Sequence, residues 1–196
     1  MDSCKYNGQR LSWLLISALL CLVASARASE LSRRFEALEP FSSAQFRQER
    51  HVEALSRPLV SSGSIELSLS GFVWKQIDPF HVWLIYDGVS IVEKTVVGRQ
   101  ETLRQVLDPA TSSFTRTMFQ VMTGSFADLQ STFLIKPRDE DRQSEWSYEL
   151  EPRDAAIRRA IGRIILSGDT YLNHIRIEES PGNYTWIELT NQRPVP

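Results

Sequence analysis

The chain is poor in the groups that do chemistry. Its 196 residues hold two cysteines, Cys4 and Cys21, and both fall in the first 28 positions. Everything downstream therefore lacks a disulfide framework and a cysteine nucleophile. The three histidines, His51, His81 and His174, fall on separate predicted strands without the close spacing of a metal site. They read as surface or locally hydrogen-bonded side chains. No Gly-x-Ser-x-Gly elbow occurs, and nothing singles out one serine as the nucleophile of a triad, whose members need not be neighbours. Asp139-Glu140-Asp141 lacks the glycine turn and spaced ligands of a calcium loop. The sequon Asn183-Tyr184-Thr185 is a weak pattern that matters only in a eukaryotic secretory host. Charge of one sign is missing as well: the net is −2, with acidic and basic residues interspersed. That disfavours nucleic acid and anionic membrane surfaces as partners. No repeat and no low-complexity tract interrupts the chain.

The amino terminus has a clear purpose. Lys5 and Arg10 precede a mostly apolar run from Leu11 to Ala24, and two Ala-x-Ala sites follow, Ala24-Ser25-Ala26 and Ala26-Arg27-Ala28. This predicts a cleavable export signal over residues 1–28, cut after Ala28 or Ala26. The run is short of the roughly 20 residues that a membrane span needs. Leu20, a bulky residue, precedes Cys21, which argues against lipidation there. Residues 29–196 then form one exported domain, stabilised by its core alone.

Strands dominate that domain. FSSAQFRQERHV, SGSIELSLSG, FVWKQI and HVWLIYDG follow one another from Phe41 to Gly88, broken at Pro58 and Gly63, Gly71, Asp78-Pro79 and Asp87-Gly88. The early runs alternate as half-buried antiparallel strands do. Phe72-Val73-Trp74 and Val82-Trp83-Leu84-Ile85-Tyr86 are apolar on both faces. Such a sheet must be covered on both sides or hold something apolar. Asp87-Gly88 marks a hairpin into a strand over Val89 to Val97. Leu129 to Lys136, Trp146 to Leu150, Arg163 to Ser167, Tyr171 to Glu178 and Tyr184 to Thr190 predict further strands. Together they make a large antiparallel sheet of about nine strands.

Helical periods are fewer. Leu31, Phe35 and Leu38 predict one helix before Pro40. Leu103, Val106 and Leu107 make a short helical face that Asp108-Pro109 interrupts. Thr111 to Met122 predicts a second helix, capped by Ser112 or Ser113 and stopped at Gly124. Asp154 to Ile161 predicts a turn or two more. The Thr111–Met122 helix carries Met118 and Met122, beside Phe114, Phe119 and Val121. An apolar helical stripe is ordinarily core packing. Methionine, however, suits surfaces that accept varied apolar partners, so the helix is also a candidate lid over a ligand cavity.

The order of these features resembles the LolA family of periplasmic carriers of outer-membrane lipoproteins. The matching residues are Phe41-x-x-x-x-Phe46-x-Gln48, Gly63-x-Ile65-x-Leu67, Phe72-x-Trp74 and Trp83-Leu84-Ile85-Tyr86-Asp87-Gly88. Tyr148-Glu149-Leu150-Glu151-Pro152, Ile164-Ile165-Leu166, Leu172-x-x-Ile175-x-Ile177 and Gly182-Asn183-Tyr184-Thr185-x-Ile187-x-Leu189-Thr190-Asn191 follow in order. The resemblance implies a mainly β fold with some α: a curved, incomplete antiparallel β-barrel with a helical lid, hollow and apolar, shielding acyl chains in the periplasm. It also implies a donor exporter in the inner membrane, an acceptor at the outer membrane, and no cofactor, metal or catalytic residue. Two departures mark a divergent branch. Best-known members carry a basic residue and a proline before the aromatic-x-Trp strand, where this chain has Ser68-Leu69-Ser70-Gly71, and their longer carboxy-terminal extension has little counterpart after Asn191. The cargo is then a lipoprotein, another lipid or a lipid-linked pigment.

The expected reading is a soluble, monomeric periplasmic carrier, not an enzyme. Its cavity lining is expected from Phe46, Leu67, Leu69, Trp74, Trp83, Ile85, Met118, Met122, Ile175, Ile177 and Ile187. A one-residue error in strand parity would swap every choice on that strand. A lipid-sensing regulatory module with the same fold is the alternative, and an exported hydrolase a distant third.

Overall fold

The computed structural model describes residues 40–138, 146–180 and 182–195. The export signal, the helix expected before Pro40 and the Asp139-Glu140-Asp141 loop lie outside the described residues. The described chain runs β1 (Phe41–His51), β2 (Leu59–Leu67), β3 (Phe72–Asp78), β4 (His81–Tyr86), β5 (Ile91–Val97) and β6 (Gln100–Gln105). Two helices follow, α1 (Pro109–Met122) and α2 (Phe126–Thr132), then β7 (Phe133–Pro137) and β8 (Trp146–Pro152). It closes with α3 (Ala155–Ala160), β9 (Arg163–Gly168), β10 (Leu172–Ser180) and β11 (Asn183–Pro194).

All these strands join one 11-stranded antiparallel sheet, in the order β6-β5-β4-β3-β2-β1-β11-β10-β9-β8-β7. Two meanders, β1–β6 and β7–β11, meet where the first strand pairs with the last. The sheet does not close, so β6 and β7 are its two rims. This has a direct consequence for the helices. The segment linking β6 to β7 must cross from one rim to the other, and α1 and α2 form that crossing. Phe119 of α1 lies 6.3 Å from Phe72 in a stacked pair and 5.5 Å from Tyr86 edge-on, which puts α1 on the face carrying those rings. That face is the inner, concave one.

Local chemistry corrects several boundaries. Leu103, Val106 and Leu107 do not form a helical face. Gly98, with φ of 61°, makes the tight turn that sends Gln100–Gln105 back along β5 as β6. Leu103 therefore stands opposite Lys94 on an exposed strand. Asp108-Pro109 does not interrupt a helix but begins one. The Asp108 carboxylate accepts the Thr111 N–H at 2.8 Å, and proline fits the first helical turn. The cap is thus Asp108, not Ser112 or Ser113. Leu129 to Lys136 is not a single strand, for α2 runs through Thr132 before β7 starts at Phe133. Gly63 is not a break either. It lies inside β2, where a Cβ would fall 1.8 Å from the Lys75 carbonyl oxygen, so only glycine admits this approach of β3.

The core is densest on the inner face of β7–β11, where Leu150, Ile164, Leu166, Ile175 and Ile177 are buried beside Leu129 of α2. The three-helix layer and this half of the sheet supply the burial that a disulfide-free domain needs.

Candidate functional site

The registers assign every side chain to a face. On β4 the inner face takes Val82, Leu84 and Tyr86, because Leu84 pairs with Trp74, and Trp74 with the fully buried Ile65. One inner row crosses the sheet as Ala44, Ile65, Trp74, Leu84, Glu93 and Arg104. It starts apolar and ends in an ion pair, Arg104 Nη2 to Glu93 Oε1 at 3.2 Å. Phe46 joins from β1. Its ring centroid is 4.3 Å from that of Trp74, in the space that the missing Gly63 side chain leaves on β2.

Cover is uneven over this face. Phe46, Phe72 and Tyr86 are buried, the last two beneath Phe119. Trp74, Val82 and Leu84, further from α1, are only half-buried. An apolar floor thus continues out from under the helix, ending at Gln76, Thr95 and Thr102 on the next inner row. This half-covered floor, with α1 at its border, is the candidate binding surface.

Of the expected lining, Phe46, Trp74 and Leu67 belong to this half of the inner face, Leu67 pairing with Phe72. Ile175, Ile177, Ile187, Met118 and Met122 are each 3% exposed or less and lie in the packed region under the helices. Three expectations fail. Leu69 sits in the β2–β3 turn at 102% exposure, because the Ser68 hydroxyl and N–H both bond the Gly71 carbonyl and throw Leu69 outward. Trp83 and Ile85 occupy the outer face, one residue out of phase with Leu84. Trp83 lies there between Lys75 and Lys94, whose ammonium nitrogens are 5.5 and 4.5 Å from its ring. Ile85 lies between Val73 and Val92 on the neighbouring outer row. Sequence reasoning missed Leu84 and Phe119. The spacing Phe72-x-Trp74 against Leu84-x-Tyr86 carried the signal, but only the cross-strand register fixes its phase.

The outer face has a different character. A cavity of about 610 Å³ opens there near the β10–β11 turn, lined by Arg158, Arg163, Arg176, Glu178, Glu179 and Tyr184 among others. Its charges satisfy one another. Arg163 Nε donates to Glu178 at 2.5 Å and Arg176 Nε at 3.2 Å, while the Arg176 guanidinium lies 4.1 Å from the Tyr184 ring. Burial pushes the Glu178 carboxyl up, but the Arg163 hydrogen bond and the charges of Arg163 and Arg176 outweigh it, leaving a net lowered pKa. Charged side chains wall this groove, unlike the apolar floor of the inner face. Among the described residues, no three His, Cys, Asp or Glu gather as metal ligands. No described helix is long and apolar enough to cross a membrane.

The family model for outer membrane lipoprotein carrier protein LolA matches residues 41–196. The chain belongs to the LolA family. Among solved structures, it is similar to a LolA superfamily protein from Nitrosomonas europaea, at 8% identity and a TM-score of 0.43, over 81% of this chain and 87% of that one. It is also similar to an outer membrane lipoprotein-sorting protein domain from Vibrio parahaemolyticus, at 7% identity and a TM-score of 0.44, over 84% and 91%. No curated protein matches the chain in sequence. Membership of the LolA family agrees with the open antiparallel sheet and its helical crossing.

Proposed function

We propose that this chain is a periplasmic carrier that takes the acyl chains of a lipoprotein or another lipid onto its inner face and shuttles them from an inner-membrane exporter towards an outer-membrane acceptor. The observation that carries the reading is the half-buried floor of Trp74 and Leu84, continuous with Phe46 and bordered by α1. Each methylene that leaves water there is worth about 0.8 kcal/mol, so an acyl chain binds a dry apolar surface without any catalytic group. Release is the harder requirement for a carrier. It calls for an adaptable cover, which the Met118, Met122 and Phe119 side chains of α1 supply. Shifting α1 from the Phe72 and Tyr86 rings would join the exposed floor to the packed region beneath Met118. Ser68-Leu69-Ser70-Gly71 give the β2–β3 turn no basic side chain, so α1 is held by its buried apolar face, Met118, Val121 and Met122, together with the ring contacts of Phe119.

The test is mass spectrometry of lipid that copurifies with the protein from a periplasmic extract, with Leu84→Asp for comparison. The reading expects near-stoichiometric lipid on the wild type and a large loss in the variant, with the circular dichroism of the sheet unchanged. A wild type that carries no lipid and takes up no apolar dye would refute it. Transfer of the bound lipid to acceptor vesicles then separates a carrier from a lipid sensor.

A further inference from the structure

The two rims of the sheet are unlike. β7 follows directly from α2 and ends on Pro137, which has no N–H to offer. β6 is six residues long, all of them exposed, and among the described residues it pairs only with β5. Its register says which backbone groups are spare. The Val106 N–H donates to the Ile91 carbonyl at 2.8 Å. Antiparallel alternation then turns the N–H and C=O groups of Arg104, Thr102 and Gln100 towards Glu93, Thr95 and Val97. Glu101, Leu103 and Gln105 point theirs away from the sheet. An unpaired row of this kind is a template for another strand.

We propose that β6 pairs antiparallel with β6 of a second copy of this chain, about a two-fold axis through Leu103. The choice of register follows from the spare groups. Centring on Leu103 sets Glu101 opposite Gln105 of the second copy, so all three outward residues of each strand find partners. Centring on Thr102 would use Glu101 and Leu103 alone. Side chains fit the same register. Leu103, 66% exposed in one chain, meets Leu103 of the second copy. Glu101 meets Gln105, and Arg104 meets Thr102, so no like charges face each other. Glu101 and Arg104 keep their own partners, Lys94 at 2.8 Å and Glu93 at 3.2 Å. This self-complementarity is what a two-fold interface requires, and it favours a second copy over a foreign strand. The axis stands perpendicular to the sheet, so both concave faces open on the same side. One short strand pair buries less than about 1,200 Å², the size of weak and transient contacts, so the monomer dominates at low protein concentration. The inference does not depend on what the inner face binds.

Sedimentation velocity over about 5–500 µM tests it, because self-association must follow mass action. The wild type should shift from monomer towards dimer. Leu103→Pro removes an outward N–H without breaking the β5 ladder and should stay monomeric with an unchanged circular dichroism spectrum. Gln105→Glu places two carboxylates opposite each other twice and should weaken the dimer roughly tenfold, while Gln105→Lys should tighten it by a similar factor. If Leu103→Pro fails to fold, the opposed effects of the Gln105 pair decide. A wild type that is monomeric throughout, a dimer that survives Leu103→Pro, or Gln105 variants that shift in the same direction would overturn the proposal.

Discussion

Glu178 shows how a single carboxylate ties the outer face to solution conditions. It joins β10 to β9 through Arg163 and braces Arg176 beside Tyr184. Its pKa in the folded protein lies below the ordinary carboxylate value because those two guanidinium groups outweigh its burial. A lowered folded pKa means that its contribution to stability is complete above the unfolded pKa of about 4.3 and disappears as pH falls through the folded value. The wild type should therefore be more stable than Glu178→Gln at pH 7, and the gap should close as the pH drops below the unfolded pKa. Urea unfolding of both proteins across acid pH checks this, and a gap that stays constant would show the pairs to be energetically silent. At the same scale, side-chain parity was the part of the site least legible in the sequence. HVWLIY is apolar at five of its six positions, so no alternation tells Leu84 from Trp83. The answer lies in the neighbouring strands: Lys75 of β3 and Lys94 of β5 take the Trp83 face, and Ile65 of β2 pairs with Trp74 on the other. His81, exposed at the start of β4, shares the parity of Trp83 and Ile85, but one polar residue at a strand end is too little to set the phase.

Among the elements, strands bounded by strong turn signals were legible and those bounded by weak ones were not. Asp87-Gly88 separates runs long enough to declare their period, and the strands on either side of it form as expected. β6 was missed because Leu103 is its single large apolar residue, and a period cannot be read from one residue. α2 was missed because seven residues are too few to set its pattern apart from the strand that follows without a break. The start of α1 was misplaced for a chemical reason. Asp-Pro reads as a helix breaker when the proline is taken as internal, yet at the first turn it is a starter, with the aspartate as cap. Asp108→Ala should therefore destabilise the protein by about 1 kcal/mol, as the loss of an N-cap does. Ser113→Ala, at an exposed position, should change stability by less than about 0.5 kcal/mol. Denaturant midpoints of the two variants separate these outcomes, and equal losses would argue that Asp108 is not the cap. Frayed by that change, α1 should also exchange its amide hydrogens faster.

At the scale of the whole molecule, the decisive pairing is that of β1 with β11, separated by almost the entire described chain. No local pattern reports it. The order of motifs along the sequence carried the fold instead, through its likeness to the LolA family. That pairing puts β6 and β7 at opposite rims and obliges the linking segment to run from one to the other, and the Phe119 contacts place α1 over the inner face. A sheet of this topology has an inner surface that is only partly covered, and the account holds that the uncovered part is where the cargo lies. Photocrosslinking with a diazirine-bearing fatty acid, followed by residue-level mass spectrometry, tests that claim most directly. Saturable labelling should concentrate on Trp74, Val82, Leu84 and α1. Labelling confined to the outer-face residues Trp83, Ile85 and Val92, or none that saturates, would contradict it.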